Sequence, residues 1–435
     1  MELIYNILMI LVAVVGLPFF AFRALREPRF RERLRHNLGF FLPETLAKVE
    51  GRGPVWFQAA SVGEVVAASS IIKEFKRQLP QIPVLLSSGT NSGYEMAKRI
   101  LPEADAVIFY PPDLPGLPDR ILGRIQPRAY VPVETELWPN FIRAARRRGI
   151  PVVLVNGRIG ERSVVNYRRM RCMFTDMLDT VARFCMQSTV NAQYVIELGA
   201  DPHRVVVTGN TKYDQNYSQV SEAEKAAFLE ELGFTGAGTV LVAGSTHKGE
   251  EEVLTEIVKE LRRQMPGLKL LIAPRDIPRS GGIVEGVRGA GLRAELRSKI
   301  STVTDPGGVT VVVLDTIGEL GRFYALADLV FVGGSLVPHG GHNILEPAAH
   351  GKPILVGPHM FNFKDTYALF SGRGACATAL DAAELARKTR ELLTDQALAA
   401  HMGRQAAAIV AENQGAAIRT VEQLKQMIAQ QGGNQ

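Results

Sequence analysis

Two successive series of short apolar runs, alternating with helical patterns, predict an α/β chain. It should fold as two doubly wound domains facing each other across a cleft, preceded by one apolar N-terminal helix. Three observations carry this expectation. At 435 residues the chain is too long for one ordinary domain and long enough for two with cores of their own. The short runs are continuously apolar rather than alternating, which is the pattern of strands buried on both faces. Finally, Leu3 to Phe22 is a stretch of 20 residues without a charge, about the length that a bilayer's hydrocarbon core requires.

The N-terminal stretch reads as an uncleaved membrane anchor over residues 1–22. Glu2 precedes it, whereas a secretory signal would begin with positive charge. Arg23, Arg26, Arg29, Arg31, Arg33 and Arg35 follow it, which places the bulk of the chain in the cytoplasm behind a single-pass anchor. Gly16 and Pro18 leave a membrane-dipping helix as the alternative. Residues 23–50 form a basic connector that would attract anionic headgroups at about 1 kcal/mol per charge.

The first domain is expected over residues 51–217. "PVWFQ" precedes a helix carrying Val65, Ala68, Ile72 and Phe75 at helical spacing, and "IPVLLSS", "AVIFY", "AYVPVETELW", "IPVVLVNG" and "RVVVTGN" continue the series. A charged helical crossover is expected over 218–238. The second domain is expected over 239–435, starting at "TVLVAGS" and continuing through "LKLLIAPR", "VTVVVLD", "LVFVGGS" and "KPILVGP". In such domains ligands sit beyond the carboxyl ends of the strands.

Composition narrows the partners. The formal net charge is +6, and much of the excess lies beside the anchor and in Arg146-Arg147-Arg148. No basic groove interleaved with aromatics points to nucleic acid. Cys172, Cys185 and Cys376 have no metal-ligand spacing and fit a reducing compartment.

Three segments pair a capping residue with a glutamate three positions later, each after a predicted strand: "SVGE" (Ser61–Glu64), "TIGE" (Thr316–Glu319) and "NILE" (Asn343–Glu346). A capping box stabilises a helix start by about 1 kcal/mol and does no chemistry. Helix starts that follow parallel strands also line the ligand crevice, where their amides favour anions. Glu64 is therefore a cap or a catalytic base. The same amides would lower its pKa and weaken it as a base.

"VETELWPN" places Glu134 and Glu136 on one side of a strand, if the strand continues, and suggests a polar cleft. Lys212 in "GNTKYD" would bring positive charge there or lie solvated in a loop. Arg275 in "IAPRDIPR" would grip a phosphate or form a surface ion pair. Gly333, Gly334, Gly340 and Gly341 would let backbone approach a ligand, but no G-x-G-x-x-G fingerprint is present. His247, His339 and His342 lack a metal-binding helix pattern and read as cap or loop residues, with nucleotide contact as the alternative. No G-x-S-x-G elbow surrounds Ser61, which disfavours a serine hydrolase.

The ordered set "SVGE", "VETELWPN", "NGRIGERS", "GNTKYD", "GSTHKGEEE", "APR", "DTIGEL", "FVGGSLVPHGGHNILEPAAHGKP" and "GPHMFNF" resembles the Kdo (3-deoxy-D-manno-octulosonic acid) transferases of lipopolysaccharide synthesis, from about Trp56 to Phe363. The resemblance implies the glycosyltransferase B fold. It implies transfer of Kdo from CMP-Kdo to a tetraacylated lipid A precursor, with inversion and with neither metal nor other cofactor. By motif, Glu64 would be the general base, and Glu134 and Lys212 would stabilise the transition state. CMP would be held by Pro274 and Arg275, by Ile317, Gly318 and Glu319, and by Asn343, Ile344, Leu345 and Glu346. Three positions depart from the family pattern: Gln58 and Asp276 stand where histidine is common, and Thr211 where leucine is usual.

Overall fold

Among the described residues the chain forms fourteen short strands, and the central ones are largely apolar because they are covered on both faces. The computed structural model describes residues 2–160, 164, 176–215, 217, 220–234, 236, 238–303 and 305–432. Within it the chain divides into two compact units, Met1–Gln215 with Asn413–Gln435, and Asn216–Glu412. Of the expected features, Glu161, Arg162 and Ser163 of "NGRIGERS", Cys172 and Ser218 at the crossover boundary lie outside the described residues.

In the first unit, β1 (Val55–Gln58), β2 (Val84–Ser88), β3 (Ala106–Phe109), β4 (Ala129–Pro132), β5 (Val152–Gly157), β6 (Val181–Met186) and β7 (Val205–Val207) form one parallel sheet. Its order is β3-β2-β1-β4-β5-β6-β7. Successive side chains of a strand point to opposite faces. Trp56, Leu85, Tyr130 and Leu154 accordingly join one core, while Val55, Phe57, Val84, Leu86, Val131 and Val153 join the other. Trp56 can be fully buried because its indole N–H donates to Ser87 Oγ at 2.8 Å.

The second unit repeats the plan with β8 (Thr239–Thr246), β9 (Leu268–Pro274), β10 (Ala294–Leu296), β11 (Val311–Val313), β12 (Leu329–Val332), β13 (Ile354–Val356) and β14 (Ala377–Thr378). These strands pair in parallel in the order β10-β11-β9-β8-β12-β13-β14. Leu241, Leu270, Val311 and Phe331 pack into the core on one face. Val242, Leu271, Val312 and Val330, between them, are equally buried on the other.

Three expectations need revision. The run "AYVPVETELW" does not continue as a strand: β4 ends at Pro132 and Glu134 turns into the left-handed region at φ 58°. Strand β6 was not expected, because Arg183 interrupts its apolar run; the guanidinium leaves the sheet to reach the His203 carbonyl at 3.2 Å. The last helix, Ala416–Gly432, belongs to the first unit rather than to the expected 239–435 domain. Its Val421 and Leu424 are fully buried in the core that holds Val55 and Phe57. Asp214 fixes its start, accepting from the Gly415 and Ala417 amides at 2.6 Å each, where helix amides and dipole favour a carboxylate.

A Leu424→Ala substitution should therefore destabilise the first unit by about 2–5 kcal/mol. Denaturant unfolding followed by tryptophan fluorescence measures this selectively, since Trp56 and Trp138, the chain's 2 tryptophans, both lie in that unit.

Candidate active site

The strand order reverses at the centre of each sheet, between β1 and β4 in the first and between β8 and β12 in the second. The helices leaving those strands diverge to opposite faces, opening a crevice at the carboxyl ends. The first reversal collects Glu64, Glu134 and Glu136.

Glu64 lies in the first turn of the helix Val62–Gln78, capped by Ser61. Its amide donates to Ser61 Oγ at 3.4 Å and its carboxylate accepts from Ser61 Oγ at 3.1 Å and from the Ala60 amide at 2.6 Å. The predicted box thus forms with one change: the reciprocal backbone donor is Ala60, one residue ahead of the cap. Burial pushes the Glu64 carboxyl up, as do the charge of Glu136 and, less strongly, that of Glu134, while the bonds from Ala60 and Ser61 pull it down. The result is a pKa of about 7.

Glu134 and Glu136 do not share a strand face; they reach different partners. The Glu134 carboxylate pairs with Lys212 Nζ at 3.1 Å and accepts from Asn156 Nδ2 at 3.4 Å. Both Glu134 and Asn156 have positive φ, 58° and 50°, a costly conformation for residues with a side chain and one that clusters at functional sites. Lys212 stands in a 3₁₀ turn, Thr211–Asp214, capped by Asn210. Thr211, in the usual leucine position, is buried and bonds to the Ala67 carbonyl at 2.8 Å through its hydroxyl. Glu136 accepts from Gln58 Nε2 and from Trp138 Nε1, both at 2.8 Å. Burial raises its pKa against the pull of Trp138 and Gln58. Gln58, where histidine is common in the family resembled, therefore holds Glu136 in place.

In the second unit the expected CMP residues follow β9, β11 and β12. Pro274 ends β9, and Arg275 is exposed just beyond it, its amide donating to the Thr246 carbonyl at 2.9 Å. After β11 comes the turn with Ile317, 75% exposed, Gly318 at φ 90° with open space around it, and Glu319. The "TIGE" cap is not formed as expected. The helix starts only at Leu320, the Thr316 hydroxyl bonds the Glu319 carboxylate, and Arg297 reaches that carboxylate at 3.4 Å. In "NILE", Asn343 Oδ1 accepts from the Leu345 amide at 3.0 Å and Asn343 Nδ2 donates to Glu346 at 3.3 Å. Ile344 and Leu345 are buried and anchor the turn. Burial raises the Glu346 pKa against the pull of Asn343.

Two features of this half were not foreseen. Glu250 is fully buried, its carboxylate accepting from the backbone amides of His247, Gly334, Ser335 and Leu336 at 2.8–3.1 Å. It ties the end of β8 to the glycine loop after β12. Gly333 permits that closeness: a Cβ there would lie 2.6 Å from the Ser245 carbonyl oxygen. His247 and His342 share a bond of 2.8 Å between their Nε2 atoms, and His339 stacks on His247 with centroids 4.1 Å apart. Burial, together with Arg275 and the neighbouring rings, lowers His342 to about 4. Nothing in "GSTHKGEEE" separates a buried Glu250 from a solvated helix start.

The family model described as 3-Deoxy-D-manno-octulosonic-acid transferase (kdotransferase) matches residues 29–215. A 3-deoxy-D-manno-octulosonic acid transferase of Haemophilus influenzae is 30% identical over 423 residues, 97% of each chain. Another, of Bordetella pertussis, is 32% identical over 86% of this chain and 87% of its own. Among solved structures, UDP-GlcNAc 2-epimerase from Neisseria meningitidis is similar with a TM-score of 0.54 at 14% identity, over 83% of this chain and 99% of that one. Anabaena HepE in complex with UDP reaches 0.53 at 12% identity, over 87% and 100%. At such identities the structures speak for the fold alone.

Replacing Glu250 by alanine would strand several buried donors, each costing about 1–3 kcal/mol. We expect a loss of at least about 3 kcal/mol in the second unit, with hydrogen exchange accelerated most at the amides of His247 and residues 334–336, read by mass spectrometry.

Proposed function

This chain belongs to the 3-deoxy-D-manno-octulosonic acid (Kdo) transferase family and is a glycosyltransferase of the B fold, and from that premise we propose that it moves Kdo from CMP-Kdo onto a tetraacylated lipid A precursor, releasing CMP. The observation that carries the mechanism is the crowding of Glu64, Glu134 and Glu136 at one strand reversal, with Lys212 paired to Glu134.

In this reading an acceptor hydroxyl attacks the anomeric carbon of Kdo and Glu64 takes its proton. A carboxylate with a pKa near 7 is a stronger base than an ordinary glutamate and is still about half ionised at neutral pH. Glu134 favours the positive charge that develops on the sugar, and Lys212 fixes Glu134 while balancing the phosphate or the Kdo carboxylate. Displacement is direct and inverts the anomeric centre. CMP is a monophosphate leaving group, so Arg275 and backbone amides after β9, β11 and β12 suffice to meet its charge without a metal. In this reading Glu319 and Glu346 accept from ribose or base, with Pro274, Ile317, Gly318, Asn343, Ile344 and Leu345 shaping the pocket.

The lipid acceptor requires a membrane. The inner membrane, with the catalytic domains on its cytoplasmic face, is the location this reading favours. The N-terminal helix is apolar and long enough to hold the protein there.

Incubating the protein with CMP-Kdo and a tetraacylated lipid A precursor should yield products heavier by whole Kdo units in mass spectra, and absence of such products would overturn the reading. Glu64→Gln should reduce transfer by about 10²–10⁴-fold while leaving CMP binding intact; near-normal turnover would remove Glu64 as the base. Because the base must be ionised, kcat should rise with pH through about 7 and level off above it. Glu136→Gln removes a charge that raises Glu64, so the rising limb should move to lower pH.

A further inference from the structure

A helix that crosses a bilayer carries its N-terminal end to the far side, away from the domain that follows it. The helix Glu2–Arg26 has 25 residues and is about 36 Å long at 1.5 Å per residue, more than the roughly 30 Å of hydrocarbon in a bilayer. Spanning would therefore separate Tyr5 and Asn6 from the globular part of the first unit by a membrane.

Both residues instead bond to it. The Tyr5 hydroxyl donates to Asp113 Oδ2 at 2.8 Å, and Asn140 Nδ2 donates to Asn6 Oδ1 at 2.8 Å. Their partners are fixed and buried. Asp113 accepts from the Asn140 and Phe141 amides at 2.9 and 2.8 Å, capping the helix Pro139–Arg147. Further along, Ile10, Ala13, Val14 and Leu17 line an apolar groove of about 400 Å³ with Leu114 and Pro115 of the same loop. At the other end Phe20 stacks on Phe30 with centroids 6.1 Å apart.

Exposure around the helix agrees with docking along its length. Tyr5, Asn6, Met9, Ala13 and Gly16, on one side, are half-buried. Leu8, Leu11, Val15, Phe19 and Phe22 are each more than half exposed. So large a contiguous apolar surface needs a non-aqueous partner. Arg23 and Arg26 close the helix, and Arg31 and Arg35 follow it, which suits anionic headgroups. In an ordinary in-plane amphipathic helix the second face is charged and meets water; here that face is half-buried against the protein itself.

We propose that Glu2–Arg26 is an in-plane anchor, lying along one leaflet with its outer face in the acyl layer and its arginines among anionic headgroups, and docked to the first domain through Tyr5 and Asn6. Its N-terminus is then on the same side of the membrane as the catalytic domains, in place of the single pass expected from length and hydrophobicity. The inference holds whether or not the acceptor is a lipid A precursor.

Sidedness tests it in the full-length protein. Epitope tags are placed ahead of Met1 and after Gln435, and protease is added to intact spheroplasts and to inverted inner-membrane vesicles. We expect both tags to be protected in spheroplasts and both to be cut in inverted vesicles. Cleavage of the N-terminal tag in intact spheroplasts, or its protection in vesicles where the C-terminal tag is cut, overturns the proposal.

Discussion

Covering both faces of a parallel sheet drives working polar groups to the strand ends, and the rest of this molecule follows from that constraint. Trp56 and Phe57 must both be apolar because each faces a core. The strand has no solvated side on which a carboxylate could sit. Polarity then collects where the chain leaves the sheet: at Ala60–Glu64 after β1, at Glu134–Glu136 after β4 and at Asn156, one residue before the end of β5. In the second unit the same limit gathers Thr246–Glu250, Arg275, Ile317–Glu319 and the loop from Gly333 at the ends of β8, β9, β11 and β12.

Crowding at those ends decides the chemistry of Glu64. Helix-start amides and the serine cap favour its ionised form. Burial and two neighbouring carboxylates favour the neutral form, and the second group wins. The stronger repulsion comes from Glu136, which is held among neutral donors, Gln58 and Trp138, whereas Glu134 is paired with Lys212. Capping and base catalysis are thus compatible. The cap orients the carboxylate, and burial and its neighbours raise its pKa.

Most strands and the helix start at Ser61 were legible in the sequence because continuous apolar runs and a Ser-x-x-Glu box are local signals. What was not legible depended on long-range contact. Ala416–Gly432 has an ordinary amphipathic pattern, and its membership of the first unit is decided by Asp214, some two hundred residues earlier in the chain. Strand β6 was hidden by one arginine whose side chain escapes the sheet. Glu134 and Glu136 looked like a strand pair because their spacing is two, yet a left-handed turn separates them. Glu250 looks like any acidic residue at a helix start, although it is the buried clasp between two loops. In each case residue type was readable and partner was not.

The segment "VETELWPN" joins the N-terminal helix to the carboxylate cluster. Glu134 and Glu136 stand at its beginning, and Asn140 at its end bonds both the Asp113 carbonyl and Asn6 of the N-terminal helix. Asp113 in turn bonds Tyr5 and the first amides of the helix that follows Trp138. Trp138 sits between, its indole N–H on Glu136 and its ring 6.3 Å from that of Tyr110. An anchor docked along its length would therefore hold this segment at a fixed height relative to the lipid surface. A flexible tether would leave that height free, and a lipid-borne hydroxyl would then meet Glu64 at variable depth. Proximity effects in catalysis fall steeply with misplacement on the scale of 1 Å, so a protein acting on a group held at the membrane surface gains from anchoring its carboxylates through hydrogen bonds.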